Sequence, residues 1–298
     1  MALMSRTTDD TRTTLTRTRS SRQPGQDLAS TLVVHALLIV FVILAIGPVL
    51  LIIMNSFKTT PAIFGGPFDL PNAHTFSLDG YARVVSRGNF VVNYSNSLIV
   101  TLATTALTVA FSTLAAFAIT EYRVRLAPIV SGFFLIGIML PIRLGTVTIL
   151  RMMVALHLTD TLVALILVYT AMSLPVAVAL MVTYFRTVPS ELKEAARIDG
   201  AGELRTLSIA LPLVRPGLAA VASLTMLPVW NDLWFPLILA PSKGNQTVTL
   251  GVQQFVGQFL NDYPALLAAL SMGAVPLIVL FTVFSRQFIR GLSQGYSR

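Results

Sequence analysis

The sequence predicts an all-α integral membrane protein with six transmembrane helices. Three observations carry this reading. Only 11% of the 298 residues are charged and 54% are hydrophobic, against about 25% charged in an average soluble domain. The charged residues are spaced so that they leave long apolar windows between them. The lysines and arginines fall mainly on alternate connections. With a mean hydropathy of +0.75, the chain has too little polar surface to cover a soluble domain. These numbers argue against a soluble enzyme and exclude disorder over most of the length.

A span requires about 20 apolar residues, because the hydrocarbon core is about 30 Å thick and a helix rises ~1.5 Å per residue. The first span, about 28–54, lies in the charge-free window between Asp27 and Lys58. The second, 94–120, lies between Arg87 and Glu121. The third, 126–142, fills a shorter window ending at Arg143, and the fourth, 161–185, follows Asp160. The fifth, 217–240, is apolar except at Asn231 and Asp232. The sixth, 264–285, lies between Asp262 and Arg286. The stretch 144–158 is also apolar, but Arg143 and Arg151 argue against burying it in lipid. It reads as an interfacial or protein-covered helix.

Fifteen of the 21 Lys and Arg residues fall on the N-terminal tail, the connection after the second span, the loop 186–216 and the C-terminal end. The other side has only Lys58, Arg83, Arg87, Arg143, Arg151 and Lys243. This bias puts both termini in the cytoplasm. It also accounts for the net charge of +8, so nucleic acid need not be invoked. Residues 1–27, rich in Thr, Arg and Ser, read as a disordered cytoplasmic tail. Residues 28–292 form the membrane domain and 293–298 a C-terminal tail. The first apolar stretch is longer than the roughly 7–15 residues of a signal-peptide core, so it reads as a retained anchor. The 39-residue external loop 55–93, broken by Pro61, Gly65, Gly66, Pro67 and Pro71, is too long for a simple connection. It either contacts something outside the membrane or caps neighbouring helices.

The chain has no cysteine, which excludes disulfides and thiolate chemistry. None of its three lysines follows a glycine, so there is no phosphate-binding P-loop. His35, His74 and His157 are isolated and do not read as metal ligands.

The loop 186–216 reads R-T-V-P-S-E-L-K-E-A-A-R-I-D-G-A-G-E-L-R-T-L-S-I-A-L-P-L-V-R-P. Ser190 is placed to cap a helix, with Glu191 near its positive end. Gly200 is placed to stop that helix after two or three turns. The adjacent Ala195 and Ala196 give a face without bulk, flanked by Lys193, Glu194 and Arg197 as directional polar groups. A helix this short is marginal alone and fits a partner's groove. A solvated turn with ordinary charges fits these residues equally well.

Glu194-Ala195-Ala196, Asp199-Gly200-Ala201 and Leu211-Pro212 resemble the EAA loop of permease subunits of type I ABC importers, and the form E-A-A-R-I-D-G-A is similar to the MalG-like carbohydrate branch. The Trp230-Asn231-Asp232-Leu233-Trp234 run, Thr247–Gly251 and the closing R-Q-F-I-R-G-L agree with it over about 28–292. The Thr/Arg/Ser tail is longer than the family pattern, and the family's frequent Ala-Val-Lys-Gly ending is missing. The resemblance implies a type I ABC importer permease fold in a bacterial or archaeal cytoplasmic membrane. It implies a second, MalF-like permease subunit, two ATPase subunits and an extracellular sugar-binding protein. Glu194, Ala195, Ala196, Arg197, Asp199 and Gly200 then form the ATPase-coupling element. ATP and Mg belong to the ATPase; this chain has no cofactor and no catalytic residue of its own.

A secondary transporter would show internal repeats and several intramembrane ionisable groups, and only Asp232 is a clear case here. A membrane hydrolase needs paired groups at one depth, whereas Asp199 and Asp232 lie at different depths. The candidates for the translocation pathway or gate are Arg143, Trp230, Asn231, Asp232 and Trp234; Trp230, Asn231, Asp232, Trp234, Tyr169 and Tyr184 have the stacking and hydrogen-bonding chemistry suited to a sugar. Interfacial belt positions would use the same aromatics. Asp232 and Arg143 sit at similar depths in the fifth and third spans. Each is costly in lipid alone, so they are expected to pair or share a polar cluster; the rival is that Asp232 faces the pathway and Arg143 caps its own helix. Oligosaccharide, amino sugar and glycerol-phosphate-like cargoes all remain compatible.

Overall fold

The structure is a computed structural model that describes residues 24–87, 89–122, 127–256 and 262–293. Most of the expected N-terminal tail and nearly all of the C-terminal one lie outside those residues. Among the described residues thirteen α-helices follow in order: α1 Pro24–Asn55, α2 Thr60–Gly65, α3 Asp79–Arg87, α4 Phe90–Glu121, α5 Ala127–Met139, α6 Thr146–Ala155, α7 Leu162–Phe185, α8 Ser190–Ile198, α9 Glu203–Ala210, α10 Arg215–Asn231, α11 Trp234–Leu239, α12 Val248–Val252 and α13 Tyr263–Ser293. Among the described residues the only β pairing is one isolated bridge between Lys58 and Phe76.

The six expected segments correspond to α1, α4, α5, α7, α10 with α11, and α13. Among the described residues, α1, α4 and α7 are each long and apolar enough to cross a membrane unaided. Two bent pairs, α5 with the following 142–155 stretch and α9 with α10, reach that length together, at angles of 85° and 84°. Residues 24–27, expected in the tail, fall within the range of α1. The interfacial stretch 144–158 contains α6 after a 3₁₀ turn at Ile142–Gly145. The fifth span is not one helix. α10 ends at Asn231, Asp232 turns extended, and a new helix starts at Trp234. The Asp232 carboxylate accepts the Phe235 backbone N–H at 3.0 Å, so an aspartate expected inside a helix instead caps the next one.

The chain divides into two units, 1–50 and 51–298. In the first, α1 has no buried residue in its most apolar window. An all-round apolar helix of this kind is built for lipid or another subunit.

In the second unit α4 packs against both α7 and α10. Its inner face is a seam of buried hydroxyls, with Ser97, Thr101, Thr104, Thr108 and Ser112 all buried. Small side chains let membrane helices approach closely where lipid offers no hydrophobic drive. α10 uses the same device: a Cβ on Gly217 would stand 2.6 Å from the Tyr184 ring. One core cluster joins Phe117 of α4, Met181 and Phe185 of α7, Leu207 and Ala210 of α9, and Val221 of α10. A second joins Val100 of α4 to Leu165, Tyr169, Val229 and Phe235. α4 and α7 therefore run in the same direction, toward the end that carries α8, and α10 returns. At the opposite end α3 packs against α13 and α4. Ser56 bonds Tyr81 at 2.7 Å, and Arg83 pairs with Asp262 at 2.7 Å.

Candidate functional site

Two polar clusters stand at opposite ends of the α4–α7–α10 core. The first surrounds α8. The helix starts at Ser190 with Pro189 as N-cap and no side-chain capping bond, which corrects the expected Ser190 cap. Asp199 is its C-cap and Gly200 follows at φ +79°, the left-handed stop that a residue without Cβ reaches freely. At 3.6 residues per turn, positions 191, 194, 195 and 198 share one face and 193, 196 and 197 the other. The adjacent alanines are thereby split. Ala196 is buried, while Ala195 is exposed together with Glu191, Glu194 and Ile198. Ile198 is 86% exposed, and Leu204 on α9 is 78% exposed.

The inner face holds an ion cluster that sequence reasoning missed. Lys193 and Arg197 both turn to Glu121, the last residue of α4. The Lys193 ammonium pairs with one carboxylate oxygen and Arg197 donates to the other at 2.9 Å. Arg197 also pairs with Glu203 of α9 at 3.2 Å. Hydrogen bonding to Glu203 and then Glu121 holds the guanidinium above its ordinary pKa. The Glu121 side chain is only 4% exposed. Lys193 and Arg197, expected beside a partner-facing surface, are thus spent inside the chain. The available signal was an acid alone at the end of a 32-residue helix, but its partners lie 72 and 76 positions away.

The second cluster centres on Asp232. Its Oδ2 accepts the Tyr169 hydroxyl at 2.8 Å and the Phe235 N–H at 3.0 Å, and its Oδ1 lies 3.6 Å from the Arg143 guanidinium. The structure therefore brings Arg143 and Asp232 together. Asp232 is the enclosed partner, with 13% of its side chain exposed against 70% for Arg143. Both line a half-open cavity of about 290 Å³ with Tyr169, Ser173 and Asn231. The exposed Asn231 amide donates back to Leu227 at 2.9 Å. Trp234, 43% exposed, donates to the Thr146 hydroxyl at 3.0 Å. Trp230 does not join the cavity. It is 3% exposed, edge-on to Tyr94, and its indole donates to the Gly273 carbonyl at 3.0 Å. Its side chain locks α10 to α13. Among the described residues no group of acids and histidines could hold a metal.

Comparison with known proteins agrees with this architecture. Residues 108–293 match the family described as binding-protein-dependent transport system inner membrane component. The chain is 32% identical over 267 residues to the diacetylchitobiose uptake system permease protein NgcG of Streptomyces coelicolor, covering 89% of this chain and 88% of that one. It is 32% identical over 255 residues to the maltodextrin transport system permease protein MdxG of Bacillus subtilis, covering 85% and 91%. Its fold matches, at a TM-score of 0.79 and 22% identity, a chain of a bacterial ABC transporter that imports the acidic polysaccharide alginate, covering 90% of this chain and 99% of that one. The chain belongs to the inner membrane components of binding-protein-dependent transport systems, as a multi-pass permease of the carbohydrate ABC importer family.

Proposed function

We propose that this chain is one permease half of an ATP-driven sugar importer and that the outer face of α8 docks on a cytoplasmic ATPase. The observation that carries the docking is the exposed edge of α8. Glu191, Glu194, Ala195 and Ile198 face outward beside Leu204, while the inner face is already committed to Glu121. A small residue flanked by an acid and two exposed aliphatics suits close backbone approach by a groove, with Glu194 free for a charge-assisted contact. Asp199 and Gly200 set the turn at its end. The sugar cargo is carried over from what NgcG and MdxG are named for.

In this reading both termini are cytoplasmic. A MalF-like second permease completes the pathway, two ATPase subunits hold ATP and Mg, and an external binding protein delivers the sugar. The α8 end faces the cytoplasm, and the Asp232 cluster lies toward the outside. Arg143, Asn231, Asp232 and Trp234 then line or gate this chain's share of the path. The chain itself supplies no hydrolytic chemistry. Its task is to exist in two arrangements, one favoured by ATP and the other by the loaded binding protein. Because the chain has no native cysteine, Ala195→Cys gives a unique thiol for crosslinking in the assembled transporter. Crosslinks to the ATPase from Ala195→Cys, and none from the inward Ala196→Cys, are expected. An assembled, active complex with no crosslink from Ala195→Cys would contradict the docking.

A further inference from the structure

We propose that Glu121 is the positioning residue through which α8 drives α4, and that α4 carries that movement to the 244–249 loop beside Asp232. The proposal rests on the docking of α8 argued above. Four observations carry it. Glu121 is an almost fully enclosed carboxylate in the last turn of α4, where the negative helix end disfavours an acid. It is held there by two cations from successive turns of α8, one on each oxygen. Attachment at positions i and i+4 fixes the rotation of α8 as well as its distance. Among the long helices, α1, α7, α10 and α13 each contain an internal proline, at Pro48, Pro175, Pro228 and Pro276. α4 contains neither proline nor glycine over its 32 residues, so it has none of the usual places to bend.

The fourth observation is what α4 grips at its other end. Asn96 donates to the Gly244 carbonyl at 2.9 Å and to the Gln246 carbonyl at 3.0 Å, and the Ser97 hydroxyl accepts the Val248 N–H at 2.8 Å. Thr249 in turn donates to the Asp232 carbonyl at 2.7 Å. From Ser97 to Glu121 is roughly 36 Å of helix at ~1.5 Å per residue. A rigid rod is therefore fastened to the docking helix at one end and to the loop beside the pathway cluster at the other. Its hydroxyl seam toward the core includes Thr101, Thr104 and Thr108, whose Oγ1 atoms make no hydrogen bond. Between the two fastened ends, these three positions set no bonds that a sliding helix has to break.

The test uses the complete transporter in proteoliposomes and reads sugar moved per ATP hydrolysed. Glu121→Gln keeps shape and removes the charge. It is expected to leave ATPase attachment and basal hydrolysis in place while transport per ATP falls about tenfold, within the ordinary range for coupling between sites. Glu121→Asp, which keeps the charge, is expected to recover most of it. If Glu121→Gln does not assemble, Lys193→Met is measured instead, with Arg197 left as the sole cation; a fall in the same ratio supports the proposal. An unchanged ratio in the variant measured overturns it, as does Glu121→Asp behaving like Glu121→Gln. Failure of the docking reading is read separately, by the Ala195→Cys crosslink in the otherwise unaltered complex.

Discussion

Asp232 and Arg143 form an ion pair, yet the geometry assigns them very unequal energies. Asp232→Ala removes the acceptor of two hydrogen bonds, from the Tyr169 hydroxyl at 2.8 Å and the Phe235 N–H at 3.0 Å. Bonds to a charged acceptor contribute about 1.5–3 kcal/mol each, and loss of the acceptor leaves enclosed donors unsatisfied. A cost of about 3–6 kcal/mol follows from those two bonds. Arg143 sits 3.6 Å away with 70% of its side chain exposed, and a pair of that kind contributes about 0–1 kcal/mol. The assay is reversible unfolding in mixed micelles of Asp232→Ala, Arg143→Ala, the double variant and Tyr169→Phe. Asp232→Ala is expected to lose several times what Arg143→Ala loses, with Tyr169→Phe between them and a small coupling in the double variant. Equal losses for the two charged residues, or a coupling that accounts for most of the Asp232 loss, would refute the assignment.

Three further outcomes follow from other contacts. Gly217→Ala forces a Cβ to 2.6 Å from the Tyr184 ring; it should cost about 1–3 kcal/mol as overpacking, and Tyr184→Ala in the same chain should recover part of it in unfolding measurements. Gly200 has φ +79° and open space where a Cβ would stand, so Gly200→Leu costs strain of about 1–2 kcal/mol; pull-down of the ATPase should weaken while membrane insertion stays normal, and Gly200→Asn should be milder. Asp160 accepts from the Ser242 hydroxyl and, at 3.1 Å, from the Ser242 N–H; the Ser242 hydroxyl bond, first, lowers its pKa below the usual carboxylate value. A lowered carboxylate stabilises fully above its unfolded pKa of about 3.9 and loses that stabilisation as pH falls through the lower folded value. Hydrogen exchange in 240–246 should therefore rise only at acid pH, and Asp160→Asn should abolish that step; a step near neutrality would count against it.

The long apolar helices α1, α4 and α7 were legible because burial in lipid excludes charge, and Asp27, Lys58, Glu121, Asp160 and Arg186 mark the edges of their charge-free windows directly. The α8 loop was legible because its glycine stop and alanine pair are local features. What the sequence did not reveal depends on long-range pairing or on a choice between local options. Glu121 served only as a window edge until Lys193 and Arg197 closed on it from far along the chain. Ala195 and Ala196 looked like one face until the rotation of α8 about its axis was set by that clamp. Asp232 could sit within a helix or cap the next one, and its bond to the Phe235 N–H decided for the cap. Trp230 and Trp234 share a run of five residues, but the chain turns between them at Asp232. One indole goes to α13 and the other to Thr146.

We propose that this chain conducts a sugar under the control of an ATPase docked on α8. It is tested most directly by uptake of labelled oligosaccharide into proteoliposomes containing the whole transporter, with ATP enclosed, comparing the unaltered chain with Ala195→Trp. Uptake is expected to require ATP and the binding protein, and to be lost in Ala195→Trp with the membrane subunits still inserted. Undiminished ATP-driven uptake by Ala195→Trp, or uptake that proceeds without the ATPase subunits, would contradict it.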